Sequence, residues 1–106
     1  MQEVYVNCRN LEWQDMPSYP AGTKVKVLRD NKGRKTVLLK IPAGFEMPAH
    51  SHTTGEQHYV LEGQYEIEGQ VYGEGTYHFM PPGDTHGPFT SKTGATLLVI
   101  WDGYSN

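Results

Sequence analysis

A chain of 106 residues, 37% hydrophobic and 20% charged, has the length of one domain and the composition of a globular protein rather than a disordered or fibrous one. It holds no apolar run near the roughly 18 to 20 residues of a membrane helix, and its single cysteine, Cys8, excludes an internal disulfide framework and a zinc ribbon. The net charge of −3 divides unevenly: residues 1–40 carry eight Lys/Arg against four acids, and residues 41–106 carry Lys92 against eight acids. An acidic second half is a poor partner for a phosphate backbone, so neither nucleic acid nor membrane is expected as a partner. The opening residues lack a basic segment followed by an apolar one, which points to the cytoplasm.

Taken in chain order, residues 1–23 read as an irregular arm, broken at Met16-Pro17-Ser18-Tyr19-Pro20. Its Val4, Tyr5, Val6 and Trp13 are expected to pack on the body of the protein or on a second copy, giving a homodimer. Short β-rich runs follow at Lys24–Leu28 and Thr36–Ile41, with Asp30-Asn31-Lys32-Gly33 between them as a hairpin turn. Further runs lie at Gln57–Leu61, Gln64–Glu68, Thr76–Met80 and Thr96–Trp101, with Glu68-Gly69 and Tyr72-Gly73-Glu74-Gly75 as turn signals. Twelve Gly and seven Pro leave no window long enough for a helix of period 3.6. The expectation is a single all-β domain over residues 1–106, a sandwich or small antiparallel barrel. Alternation nominates Leu39, Ile41, Phe45, Met47, Val60, Ile67, Tyr77, Phe79, Leu98 and Ile100 for its interior. Met47, Phe79 and Phe89 flank the histidines and read first as plain core, with the wall of a substrate cavity as the alternative.

All five histidines fall between His50 and His86. On an extended segment His50 and His52 point to the same face. Glu56 follows a Thr53-Thr54-Gly55 break, and His86 lies beyond the Pro81-Pro82-Gly83 turn on another strand or its end. Three imidazoles and a carboxylate from separate strands can surround one divalent ion of the Fe, Mn, Ni, Cu or Zn type. In an octahedral shell, four such ligands leave two positions open. His58 shares strand parity with Glu56, so it reads either as an acid/base beside the substrate or as a hydrogen-bonded interior histidine. His78 is left outside the ligand set. Glu62, Glu66, Glu68 and Glu74 read as solvated edges and turns, and Cys8 as a packed thiol.

The segment from Gly44 through His50, His52 and Glu56 to Gly63 resembles the first motif of the cupins, with every specified residue in place. The segment from Gly75 through Pro81, Gly83 and His86 to Thr90 resembles the second, with Thr90 where Asn is usual and Thr76 where Asp is common. The resemblance implies a double-stranded β-barrel, or jelly roll. It also places His50, His52, Glu56 and His86 at the family's metal-ligand positions. The stretch from Gly75 to Gly94 is similar to the ChrR-type cupins, a group that includes an anti-sigma metal domain and small dioxygenases that cleave ketones or diketones. Many of those enzymes use three histidines, so Glu56 departs from their pattern.

Two functions follow as expectations. The first is a metal-dependent dioxygenase, Fe²⁺ favoured, acting on a small carbonyl or enolic substrate with His58 as proton carrier. The second is a non-catalytic module that binds or senses a small ligand, with a closed four-coordinate Zn²⁺.

Overall fold

The computed structural model describes residues 2–104. A 3₁₀ turn at Cys8–Asn10 is followed by twelve strands: β1 (Gln14–Asp15), β2 (Lys24–Asn31), β3 (Arg34–Ile41), β4 (Phe45–Met47), β5 (His50–Ser51), β6 (Thr54–Gly63), β7 (Tyr65–Ile67), β8 (Gln70–Tyr72), β9 (Tyr77–Met80), β10 (Thr85–His86), β11 (Phe89–Ser91) and β12 (Ala95–Tyr104). They form a six-stranded sheet in the order β1-β2-β3-β12-β6-β9, a four-stranded sheet β4-β11-β7-β8 and a two-stranded ribbon β10-β5. The pairing is antiparallel throughout, the jelly-roll arrangement of an all-β domain. No helix among the described residues is long and apolar enough to cross a membrane.

Local chemistry sets the hairpins. Lys32 and Gly33 both have positive φ, 53° and 88°, and they link β2 to β3 as the two-residue turn whose twist matches antiparallel strands. Glu68 and Gly69, at 49° and 82°, do the same between β7 and β8.

The core lies between the sheets. Across the large sheet Val37 faces Val99, and Val99 faces His58, which faces His78. The neighbouring row runs Trp101, Glu56, Met80. Residues opposite one another in antiparallel strands share a face, so the wall of Val37, Val60, Leu97 and Val99 continues into Glu56 and His58. The four-stranded sheet closes the other side with Phe45, Tyr65 and Phe89.

This register corrects the expected interior at two strands. Leu39, Ile41, Phe45 and Val60 are buried, and Met47 and Ile67 pack against them. Tyr77 and Phe79, however, are 56% and 49% exposed, because β9 must match His78 and Met80 to the inward His58 and Glu56. On β12 the buried hydrophobic residues are Ala95, Leu97 and Val99, and not Leu98 and Ile100. Leu97-Leu98-Val99-Ile100-Trp101 is apolar without alternation, so its pattern carries no parity of its own.

The arm, residues 2–23, is held where β1 pairs with β2 and where Met16 and Tyr19 pack on the core. Val4, Tyr5 and Val6 stay exposed.

Gly63 ends β6 at a tight crossing. Its φ is 76°, and a Cβ there would lie 2.3 Å from the Gly94 carbonyl oxygen. Gly63→Ala meets both backbone strain and backbone overlap, each worth about 1–3 kcal/mol. It is expected to lower stability by at least about 2 kcal/mol in denaturant unfolding, whereas Gly69→Ala, with nothing within 4 Å of its Cβ, carries only the φ strain.

Candidate metal centre

The ribbon β10-β5 assembles the histidines. It sets His86 directly opposite His50, and His52 follows β5 on the same side. The ring centroids are 4.7 Å apart for His50–His52, 4.7 Å for His50–His86 and 5.2 Å for His52–His86. One ring nitrogen from each lies within 4.8 Å of the other two.

His50 Nδ1 lies 2.9 Å from the Pro48 carbonyl oxygen. A carbonyl only accepts, so Nδ1 carries the hydrogen and Nε2 keeps its lone pair for a metal. His52 Nε2 and both nitrogens of His86 are buried without a hydrogen-bond partner. Unsatisfied buried nitrogens are costly. Three lone-pair donors meeting at one point suit a divalent transition ion.

Glu56 is 3% exposed and projects from β6 towards this cluster. Its Oε1 is 3.0 Å from His52 Nε2, close, but without the alignment of a hydrogen bond. The same oxygen accepts the Trp101 indole N–H at 3.0 Å, and Oε2 lies 2.5 Å from His58 Nε2. Glu56 sits outside the group of three whose donor atoms are mutually within 4.8 Å. His58 is buried and makes its second bond, through Nδ1, to the Tyr65 hydroxyl. The structure therefore brings His50, His52 and His86 together, places Glu56 against His52, and places His58 behind Glu56. His78 is apart from them, bonded to Tyr65.

Burial works to raise the Glu56 pKa, but the hydrogen bond and charge of His58, the charge of His52 and the Trp101 N–H outweigh it and hold the carboxyl below its ordinary value. Burial lowers His86, reinforced by the neighbouring histidines and partly offset by Glu56. Tyr19 and Tyr65 are pushed well above the usual phenol range by burial, with the Glu56 charge adding to it, so both remain protonated donors.

Two spaces adjoin the centre. An inner recess of about 20 Å³ is bounded by Tyr19, Met47, His50, His58, Tyr65 and Phe89 among others, room for about one water-sized molecule. An outer cavity of about 260 Å³ is lined by Ile67, Tyr72, Tyr77, His78, Thr85 and His86 among others. Met47 and Phe89 belong to the core packing and also border the recess, but Phe79 faces away from it.

Sequence reasoning missed Tyr19 and the role of Trp101. Tyr19 stood in an arm without periodicity, its only signal being an aromatic ring between two prolines. Trp101 ended an apolar run, and nothing in the run marks its N–H as a partner for Glu56.

The family described as the ChrR cupin-like domain matches residues 1–103. No curated protein matches the sequence. Among solved structures, a putative acetylacetone dioxygenase from Methylibium petroleiphilum superposes with a TM-score of 0.86 at 18% identity, covering 97% of this chain and 78% of that one. An RmlC-like cupin from Shewanella frigidimarina gives 0.79 at 25% identity, covering 96% and 93%. The Rhodobacter sphaeroides complex of SigE with the anti-sigma ChrR gives 0.70 at 22%, covering 91% and 52%.

Proposed function

Because this chain belongs to the ChrR cupin-like family, we propose that it is a metal-dependent dioxygenase acting on a small carbonyl or enolic substrate. The observation that carries this reading is the convergence of three imidazoles, with buried unpartnered nitrogens, beside a cavity. His50, His52 and His86 hold the ion, with Glu56 as the fourth donor, and Fe²⁺ is favoured among the metals such a set accepts. When bound, the ion supplies Lewis acidity towards a substrate oxygen and redox chemistry with dioxygen.

The protein's own groups do the rest. A cavity of about 260 Å³ falls below the usual range for drug-sized ligands and selects a small molecule. Tyr72 and Ile67 offer it aromatic and aliphatic walls, and Thr85 and His78 offer polar contacts. Glu56, held as a carboxylate, accepts from His58 Nε2, which makes His58 the proton carrier nearest the centre. Solved acetylacetone dioxygenases resemble this chain in fold, and their substrate class sets the first compounds to try.

The test is metal analysis of protein purified without added metal, followed by oxygen-uptake screening against small diketones, phenols and thiols. About one iron per chain with diketone-dependent uptake is expected. A tightly held zinc with no oxygen uptake would overturn the enzymatic reading and favour the second one, a non-catalytic module that binds or senses a small ligand.

The protein is also proposed to pair as a homodimer in the cytoplasm. The outward face of β6 and β9 exposes Tyr59, Leu61, Tyr77 and Phe79, and the arm exposes Val4, Tyr5 and Val6. Apolar side chains grouped on one face of a sheet mark an interaction surface. Light scattering at micromolar concentration should give about twice the 11.9 kDa of the chain; a monomer mass would exclude the dimer.

A further inference from the structure

Behind Glu56 the buried polar groups form one continuous line. His58 Nε2 lies 2.5 Å from Glu56 Oε2, His58 Nδ1 lies 3.1 Å from the Tyr65 hydroxyl, and that hydroxyl lies 3.2 Å from His78 Nδ1. The line begins beside the three histidines and ends at a residue of the outer cavity wall. Register makes it possible: β6 and β9 set His58 opposite His78, and Tyr65 on β7 reaches both from the facing sheet.

We propose that Tyr65 and His78 are positioning residues for the metal centre, the outer links of a hydrogen-bond chain that fixes the ring orientation and tautomer of His58 and, through it, the carboxylate of Glu56. The proposal rests on the metal reading above only for its last link, from Glu56 to the ion; the chain itself belongs to the fold.

The hydrogens can be assigned in order. A carboxylate only accepts, so with His58 neutral its Nε2–H donates to Glu56 and its Nδ1 is left as an acceptor. Tyr65 supplies the matching O–H. The Tyr65 oxygen then accepts from His78 Nδ1–H, which requires His78 in its Nδ1-protonated tautomer. Every group from Glu56 to the His78 Nδ1 is then satisfied, which is what a buried polar network needs to hold one geometry. Without this chain His58 could turn over in its pocket. Glu56 would then keep only the Trp101 N–H to orient it, and would no longer sit steadily 3.0 Å from His52.

Tyr65 also packs, stacking on Phe89 at 5.5 Å, so the test must separate packing from positioning. Tyr65→Phe keeps the ring and removes the hydroxyl. His78→Leu removes the Nδ1 donor, and His78→Asn returns an amide N–H near the same place. The first readout is the ¹⁵N spectrum of the histidine rings in metal-free protein. The parent should show His58 protonated at Nε2 and His78 at Nδ1, and Tyr65→Phe should shift both rings towards mixed tautomers. The second readout is Co²⁺ affinity and the Co²⁺ visible spectrum. Tyr65→Phe and His78→Leu should weaken binding about 10- to 100-fold, the range seen when groups that orient metal ligands are removed. His78→Asn should recover most of that loss. An unchanged His58 spectrum in Tyr65→Phe overturns the proposal, as does a changed spectrum with Co²⁺ affinity within twofold of the parent. A parent that binds no Co²⁺ would overturn the metal reading and the last link with it, and the tautomer measurement would still decide the chain.

Discussion

His52→Ala is expected to lower bound metal from about one ion per chain to a small fraction of that, with a loss of affinity above about 100-fold. Removing groups that merely orient a ligand costs 10- to 100-fold, and His52 is read as a ligand itself. The barrel should survive. His52 lies just past β5, its side chain is 30% exposed, and no residue of the core cluster is altered. The pairing of His50 with His86 is a backbone feature of β5 and β10, so two of the three imidazoles stay in place. The measurement is elemental analysis after dialysis, with circular dichroism of the metal-free variant as the folding control. Full metal content in a folded His52→Ala protein would sink the assignment. Glu56→Gln belongs beside it: a loss as deep as that of His52→Ala is expected if the carboxylate is the fourth donor.

The stability conferred by metal is expected to collapse between pH 7 and pH 5. An imidazole must be deprotonated to bind, so protons compete with the ion, and the free group titrates near 6.5. If two imidazoles take up protons for each ion released, the metal contribution falls by about 2.7 kcal/mol per pH unit until it vanishes, since one proton corresponds to about 1.36 kcal/mol per unit.

The metal-free protein should also lose stability over this range, through its own histidines, and the sign follows from the shifts. His78 and His86 are held below their ordinary pKa in the fold by burial. The unfolded chain therefore protonates first, and their contribution is full above about 6.5 and lost as pH falls through their folded values. Glu56 is also lowered, so its contribution is full above the ordinary carboxylate range near 4.3 and is lost only as pH falls below it. Thermal melting with and without metal at several pH values measures both curves. A constant gap from pH 7 to pH 5 would mean that the histidines do not hold the ion.

Some of this molecule is local and could be read directly. The turn at Lys32-Gly33 depends on two residues with positive φ, and the glycine announces it. His50 and His52 share a face because side chains alternate along extended chain. The tight crossing at Gly63 falls on a motif glycine whose missing Cβ is its function. The short strands β4, β5, β10 and β11 were not legible. Strands of two or three residues have no room for a period, and they exist only because partners are brought alongside.

Turn geometry and alternation act within a few residues, so the all-β class and the hairpin turns could be read from the sequence. Tertiary structure alone decided which face of β9 and β12 turns inward, since Leu97–Trp101 is apolar on both faces and β9 takes its parity from β6 across the ladder. It also decided which groups surround Glu56. Trp101 is opposite it in β12, Tyr65 comes from the facing sheet, and Tyr19 folds in from the arm. Such contacts join residues far apart in the chain: the β12–β6 ladder brings Trp101 to Glu56, and the closing of the two sheets brings Tyr65 to His58.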